Sequence, residues 1–473
     1  MFSNSAFLLA NDIITRATTF ILYALIARYL GVYEFGQLSL ALTVLFTFQI
    51  LAPAGLRLFI TREVAKDLTK TNLYLVNGSL IAIFFSILAY LILLIMIVLL
   101  NYSHDTTMAI FWVTLGLLPF SLTTICEAIF QGWERMQYIT YANLPRNLGV
   151  IVAAFLLLSQ GYGINAIACM LSISYIFLVV IEWWLVARYI SRPNIKIDLR
   201  FSLETIKKSM TFLGFQGALA ISNTVIIIML SKFSGETEVG YYNAASQVLT
   251  PLTLVINSMV LSVYPALCRK FEVNTQALKL LSDNLIELSL TIALPVIIGL
   301  VYLSKEILLL LYGNEDFLLA SQVLRILLIT LVLRAVSSVM GRDLLAGHRE
   351  KAVLKIVLIT SVVYLFSGLI LISKFGLMGA AITMVVFTLV DFILHYMNTS
   401  RLFSQPIPWQ RLLKPLFAVG IMLGFLIFVK ISSPFIMVII GCSIYILVWV
   451  TLNIQSAGSL KQLKLKYQLL WSE

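Results

Sequence analysis

Between residues 7 and 453 the chain is an almost unbroken series of apolar runs, most of them about 20 residues long. A helix of that length crosses the roughly 30 Å hydrocarbon core of a bilayer. Fourteen runs can be marked, at 7–29, 38–60, 76–100, 108–130, 144–159, 163–187, 210–230, 240–264, 281–302, 318–340, 352–373, 376–397, 412–429 and 434–453. In lipid each backbone segment must satisfy its own hydrogen bonds, which runs of this length do as helices. The expected fold is an all-α polytopic membrane protein of about 14 transmembrane helices. Hydrophobic residues make up 60% of the chain and charged ones 12%, against roughly 25% charged in soluble domains. A soluble enzyme, a disordered chain and a single-span receptor are all excluded.

The charges that remain are sorted. Of 33 Lys and Arg, 25 fall in alternate connections: 57–70, 131–147, 188–208, 265–280, 341–355, 398–414 and the tail after 453. The other set of connections holds Arg28, Lys232, Lys305, Lys374 and Lys430. Short basic loops stay in the cytoplasm, so both termini are expected there, in the cytoplasmic (inner) membrane. The net charge of +11 is then a topology signal, and no nucleic-acid partner is implied. The N-terminus lacks the basic region of a cleaved signal peptide. Cys126, Cys169, Cys268 and Cys442 match no metal or redox spacing and read as small apolar side chains. No connection is long enough for an aqueous catalytic domain, so the work is expected between helices.

An internal repeat supports this. At an offset of 204, Arg28 pairs with Lys232, Gly31 with Gly235, Glu34 with Glu238, Gly36 with Gly240 and Ala41 with Ala245. A second echo pairs YGINAIA (162–168) with FGLMGAA (375–381). Two six-helix lobes as parallel repeats, 1–200 and 201–400, fit both echoes, with 401–473 as two additional helices and a basic tail. Parallel repeats of this kind are a transporter architecture.

Several segments carry a family resemblance. They are ARYLG-x-x-EFG (27–36), GL-x-x-x-x-TREVA (55–65), QGWERMQY (131–138), E-x-GYYNAA (238–245), LYG (311–313) and LAGHREK (345–351). In order and over nearly the whole chain, the sequence resembles the polysaccharide transporter family. These Wzx-type O-antigen flippases belong to the multidrug/oligosaccharidyl-lipid/polysaccharide (MOP) superfamily. The resemblance implies a flippase for an undecaprenyl-pyrophosphate-linked oligosaccharide, moved from the cytoplasmic to the outer leaflet by alternating access. It also implies a lipid-bilayer setting and, as pathway partners, a polymerase and glycosyltransferases. No cofactor is implied, though coupling to H+ or Na+ is.

The intramembrane charges acquire readings on that basis. An arginine at the centre of an isolated helix costs about 2.5–3.5 kcal/mol to insert. Asp12 and Arg16 share a helix face, with Arg16 a candidate for the pyrophosphate and Asp12 for holding it; a structural ion pair near the cytoplasmic end is the alternative. At the repeat offset they map to Gln216 and Ala220, and Thr19 maps to Asn223, so the second half keeps polarity without charge. Gln216 and Asn223 are candidates for the sugar path, or interhelical hydrogen bonds. Arg325 and Arg334, nine residues apart, point to opposite sides of their helix. Arg325 in the outer half is the candidate cavity cation beside Arg16, whereas Arg334, nearer the inner loop at Arg342, can snorkel. Asp391 and His395 form an i,i+4 pair suited either to proton coupling or to a hydrogen bond at the interface. Glu127 and Glu182 are expected to be solvated at the cytoplasmic face, and Asp283 and Glu287 to open their helix. Pro53, Pro119, Pro251 and Pro295 are candidate bends. No metal site is expected.

Two rivals remain. A cation-coupled multidrug exporter of the same superfamily would need an acidic cavity, against three intramembrane arginines here. A polysaccharide polymerase would need long outer loops with patterned catalytic residues. No phosphate-cradling Gly-Lys-Ser/Thr motif is present, so the driving energy is expected from an ion gradient, from substrate consumption, or from the membrane potential, about 2.3 kcal/mol per charge per 100 mV.

Overall fold

A computed structural model of the chain is helical throughout its spans. It describes residues 2–403, 405, 407–429 and 433–457, and their side chains other than those of 2–6, 8, 9, 211–223, 273, 456 and 457. The helices are α1 (Phe2–Leu51), α2 (Leu56–Lys66), α3 (Thr71–Leu100), α4 (His104–Thr114), α5 (Leu117–Gly132), α6 (Gln137–Ser159), α7 (Ile164–Tyr189) and α8 (Leu199–Ser234). They continue with α9 (Glu236–Val273), α10 (Thr275–Tyr302), α11 (Ser304–Tyr312), α12 (Ala320–Ala346), α13 (Glu350–Thr399), α14 (Trp409–Phe428) and α15 (Pro434–Ala457).

Among the described residues, 11 apolar helical stretches are long enough to cross a bilayer. Two of them fold back on themselves. The backbone leaves helical geometry at Gly31 in α1 and at Gly376 in α13. Tyr23 and Phe35 consequently meet with ring centroids 5.6 Å apart, where a straight helix would hold them about 18 Å apart. Tyr364 and Phe387 meet at 4.9 Å in the same way. Each fold-back makes two crossings and α8 is long enough for one more, which gives the fourteen expected. The protein is a multi-pass membrane protein.

The chain divides into two compact units, Met1–Gly240 and Tyr241–Glu473. Within the first, hydrogen bonds draw the connections into two groups. At one end Trp133 Nε1 donates to Thr71 Oγ1 at 2.8 Å, and Asn77 Nδ2 donates to the Lys196 carbonyl at 3.1 Å. This is the basic end. At the other, Gln37 Nε2 donates to Thr106 Oγ1 at 2.8 Å, and Tyr102 pairs with Ser231 at 2.7 Å. Lys232 lies 3.5 Å over the Tyr102 ring, and burial pushes that phenol up to about 12. The second unit is sorted likewise. Arg411 Nη1 donates to Asn284 Oδ1 at 2.6 Å at its basic end, and Tyr312 Oη donates to the Ala244 carbonyl at 2.9 Å at the other.

The repeat is visible in the backbone. Gly31 has φ 78° and ψ −178°, and Gly235 has φ 93° and ψ 170°, a region that is essentially glycine-only. The next repeated pair makes a close approach. A Cβ on Gly36 would overlap the Glu236 carbonyl oxygen, and one on Gly240 the Val32 carbonyl oxygen. Of the four prolines, Pro53 sits in the break between α1 and α2, and Pro119 lies in the first turn after the α4–α5 break. Pro251 and Pro295 ride inside continuous helices. At the α4–α5 break, Ser172 Oγ takes the Gly116 N–H at 3.0 Å and faces the Trp112 carbonyl at 2.5 Å.

Candidate functional site

In the first unit, α1 buries a face of Thr15, Thr18 and Leu22 and leaves Asp12 and Arg16 on the neighbouring face. Arg16 Nε donates to Asp12 Oδ2 at 2.9 Å, with the two side chains 50% and 54% exposed. Helix runs unbroken from Phe2, so Arg16 falls near the middle of the first crossing, about 22 Å from the Gly31 reversal.

The threonine face of α1 opens on a cavity of about 110 Å³. Thr18, Thr19, Tyr23, Arg146, Asn147 and Tyr175 are among the residues around it. Arg146 was expected in the connection 131–147. It lies instead inside α6, about 13 Å along from Gln137. The helix begins at a polar segment, and the string Asn143-Leu-Pro-Arg-Asn147 reads as a loop when taken alone. Asn143 and Asn147 at i,i+4 were the available signal of a buried polar face. Asn147 Nδ2 donates to Thr15 Oγ1 at 3.1 Å, which puts Arg146 at the depth of Arg16. The Arg146 guanidinium stands 4.1 Å from the Tyr175 ring centroid, and its Nε donates to Ser174 Oγ at 3.2 Å. Its remaining partner, Asn147 Oδ1 at 3.5 Å, is also neutral.

The second unit has a charged cluster of its own. Arg334 lies near the midpoint of α12, about 21 Å from Ala320 and 18 Å from Ala346. Helix continues through Arg342, so the inner loop toward which Arg334 was expected to snorkel is not there. Arg334 faces Met384, 3.9 Å from its Sδ, and is held among Tyr242, Tyr364 and Asp391. His395 Nδ1 is 3.2 Å from Asp391 Oδ1, with the pair 9% and 22% exposed. Arg334 and the Asp391–His395 pair, separate in the sequence reading, thus share one site. Arg325 belongs elsewhere, about 8 Å from the start of α12, where its Nε donates to Ser304 Oγ at 2.8 Å. The side chains of Gln216 and Asn223 lie outside the described residues.

Three acids differ from expectation. Glu127 is ion-paired with Arg57 at 2.9 Å. Glu182 is fully buried and neither carboxyl oxygen has a partner, because α2, α3 and α5 pack an apolar cluster around its end of α7. Asp283 does not open a helix, since α10 starts at Thr275; it pairs with Lys279. Glu287, on the same helix, is buried. Asp343, which the sequence did not single out, is also buried and accepts from Ser282 Oγ at 2.5 Å. No group of three or more His, Cys, Asp or Glu among the described residues could hold a metal ion.

The profile of the polysaccharide biosynthesis protein family matches residues 1–271, more than half of the chain. The chain belongs to that family. Among its relatives is the "Probable low-salt glycan biosynthesis flippase Agl15" of Haloferax volcanii, 26% identical over 351 residues, 72% of each chain. The capsular polysaccharide biosynthesis protein CapF of Staphylococcus aureus is 24% identical over 412 residues, covering 85% of this chain and all of that one. In fold, this family member superposes on the lipid II flippase MurJ in its inward closed conformation. The TM-score is 0.79, with 18% identity over 96% of this chain and 99% of the other. An inward-facing multidrug resistance transporter of the MATE family, within the MOP superfamily, gives 0.64 with 15% identity, covering 82% and 96%. The MOP transporter fold is therefore established.

Proposed function

We propose that the protein flips a polyprenyl-diphosphate-linked oligosaccharide across the membrane, in the assembly of an O-antigen, capsule or other surface polysaccharide. The observation that carries this reading is Arg146, a mid-membrane cation on a cavity wall with only neutral partners. A half-buried cation so placed favours an anion beside it, since taking charge out of water without a counter-charge is costly. The family and its flippase relative supply the class of anion. A sugar and a diphosphate cannot enter hydrocarbon unaided, because each unpaired polar group there costs several kcal/mol. A polar route lined by cations removes most of that barrier while the polyprenyl tail stays in lipid.

In this reading Arg16 and Arg146 receive the diphosphate, and Arg334 and Arg325 are further substrate-binding cations. Gln216 and Asn223 are assigned to the sugar path. The Asp391–His395 pair beside Arg334 is the candidate for coupling to H+. The lobes that alternate are 1–200 and 201–400, with 401–473 appended, and both termini are cytoplasmic. A multidrug exporter shares the fold, but the Arg146 cavity has no carboxylate on its wall to receive an organic cation.

The test is flipping of a labelled polyprenyl-diphosphate sugar in proteoliposomes. Arg16→Gln and Arg146→Gln should each lower the rate at least tenfold, with protein still folded in the membrane. Full activity in the double variant would refute the assignment. Export of an organic cation by the same vesicles, without glycan flipping, would favour the exporter.

A further inference from the structure

Two complementary groups in the first unit stand near each other and do not touch. Arg146 has a charge and, among the described residues, no counter-ion within ion-pair reach. Glu182 has a carboxyl group, is 0% exposed, and neither oxygen has a partner. An ionised carboxylate left bare in such a place would cost several kcal/mol, so this arrangement holds the acid form. Glu127 on α5 cannot share its cation easily, because Arg57 of α2 is already bound to it.

Arg146 is within electrostatic reach of Glu182. α6 starts at the basic end and α7 finishes there, and the two helices pack together. The Cα of Arg146 is about 13 Å from Gln137, and that of Glu182 about 10 Å from Tyr189. They therefore lie at similar depth. The Arg146 side chain is turned away from Glu182, toward Ser174 and Tyr175, two turns farther along α7. In this posture it faces the threonine-lined cavity. The groups acting electrostatically on Glu182 are Glu127 of α5, Arg57 of α2 and Arg146 of α6, and Glu182 acts in turn on the thiol of Cys126 on α5. Tyr74 of α3, Tyr138 of α6 and Tyr175 of α7 border the same cluster. α1 and α4 also pack on α7, and among the described residues neither supplies a charge that acts on Glu182.

We propose that Glu182 is a proton-binding site linked to an anion site at Arg146, so that one proton is taken up on Glu182 when an anion fills the Arg146 cavity. With Glu182 ionised, its carboxylate is the counter-charge and draws Arg146 down from the cavity. With Glu182 protonated, Arg146 stands against Tyr175 and is open to an external anion. The proton comes from water at the basic end, where Arg57 and Glu127 are 46% and 15% exposed, and it returns there on release. The inference deepens the flippase reading and rests on it only in taking the natural anion to be a diphosphate.

Sulfate is the probe, because it carries no titratable proton near neutral pH. Its binding to the full-length protein in nanodiscs is measured by calorimetry in two buffers of different ionisation enthalpy. Above the apparent pKa of the site the wild type should take up one proton per sulfate, with affinity falling tenfold per pH unit, and below it none. Glu182→Gln, which keeps the side-chain volume, should bind sulfate with no proton uptake and no pH dependence. Glu127→Gln should keep proton-linked sulfate binding but move the pH at which affinity falls, and Arg146→Gln should lose binding at every pH. Independently of any variant, sulfate should raise a protonated-carboxyl band in the infrared difference spectrum of the wild type. No sulfate binding, no such band, or an unchanged pH slope in Glu182→Gln would each overturn the proposal. Glycan flipping that fails while proton-linked sulfate binding persists would sink the flippase reading and leave this one standing.

Discussion

The crossing of α1 and α9 at Gly36 and Gly240 allows a test whose sign and size can be worked out. A Cβ on Gly36 would overlap the Glu236 carbonyl oxygen and stand 2.9 Å from the Gly240 nitrogen. A Cβ on Gly240 would overlap the Val32 carbonyl oxygen and stand 2.9 Å from Val32 Cγ1. The obstacles are mostly backbone, so no rotamer change relieves them and the helices must part by roughly an ångström. Overpacking of this kind costs about 1–3 kcal/mol, against about 1 kcal/mol gained by alanine over glycine in a helix. Each single variant should therefore lose up to about 2 kcal/mol. Gly149→Ala on α6, where a Cβ meets nothing within 4 Å, should show the gain alone. Once one alanine has parted the helices, the second has less to displace, so the double variant should lose less than the sum by about 1 kcal/mol. Reversible unfolding of the purified protein in mixed detergent, followed by tryptophan fluorescence, measures all four. If Gly36→Ala is as benign as Gly149→Ala, or the two crossing variants add without coupling, the helices do not cross at these glycines.

Three further expectations follow from single sites. Gly31→Ala and Gly235→Ala should destabilise by similar amounts, about 1–3 kcal/mol each, since both hold the same glycine-only conformation; a neutral result in the same unfolding assay would contradict the matched turns. Ser172→Ala removes the nearer of the two acceptors of the Gly116 N–H at the α4–α5 break and leaves it the Val113 carbonyl at 3.3 Å, a loss of about 0.5–1.5 kcal/mol, and glycine at 172 should do no better. Asp391→Asn and His395→Gln should flatten the pH dependence of glycan flipping if the pair couples transport to protons, and profiles that coincide with the wild type would remove it from that role.

How much of this was legible in the sequence depends on the range of the interaction. Crossings were legible because hydrocarbon imposes one length on every helix. Their ends were not, and the misplaced charges sit at ends. Arg146 was placed in a connection because α6 begins with Gln137, Tyr138 and other residues that tolerate water. Glu182 was expected at a wet interface because it lies within two turns of the basic connection that starts at Arg188, yet neighbours far away in sequence, such as Ile129 and Phe130, seal it in. The turn at Gly31 was legible as a repeated glycine, since backbone conformation is local. That Arg334 shares a site with Asp391 could not be read at all, because it depends on which faces of α12 and α13 meet.

The contrast between the two arginines of the first unit shows what kind of site this is. Arg16 has its carboxylate at 2.9 Å and is half exposed, so its charge is already balanced and solvated. An anion arriving there must compete with Asp12. Arg146 has a ring, a hydroxyl and an amide. A cation–π contact recovers about 0.5–2 kcal/mol, short of the 2.5–3.5 kcal/mol or more that burying an arginine in a membrane costs. The shortfall is a standing preference for an anion, and only a ligand or a mobile carboxylate can meet it. A route that used only fully paired cations would be stable and closed to its cargo. On the proposed reading, keeping one cation under-compensated, with a neutral acid nearby to take its place, is what would let the same site hold a diphosphate and then let it go.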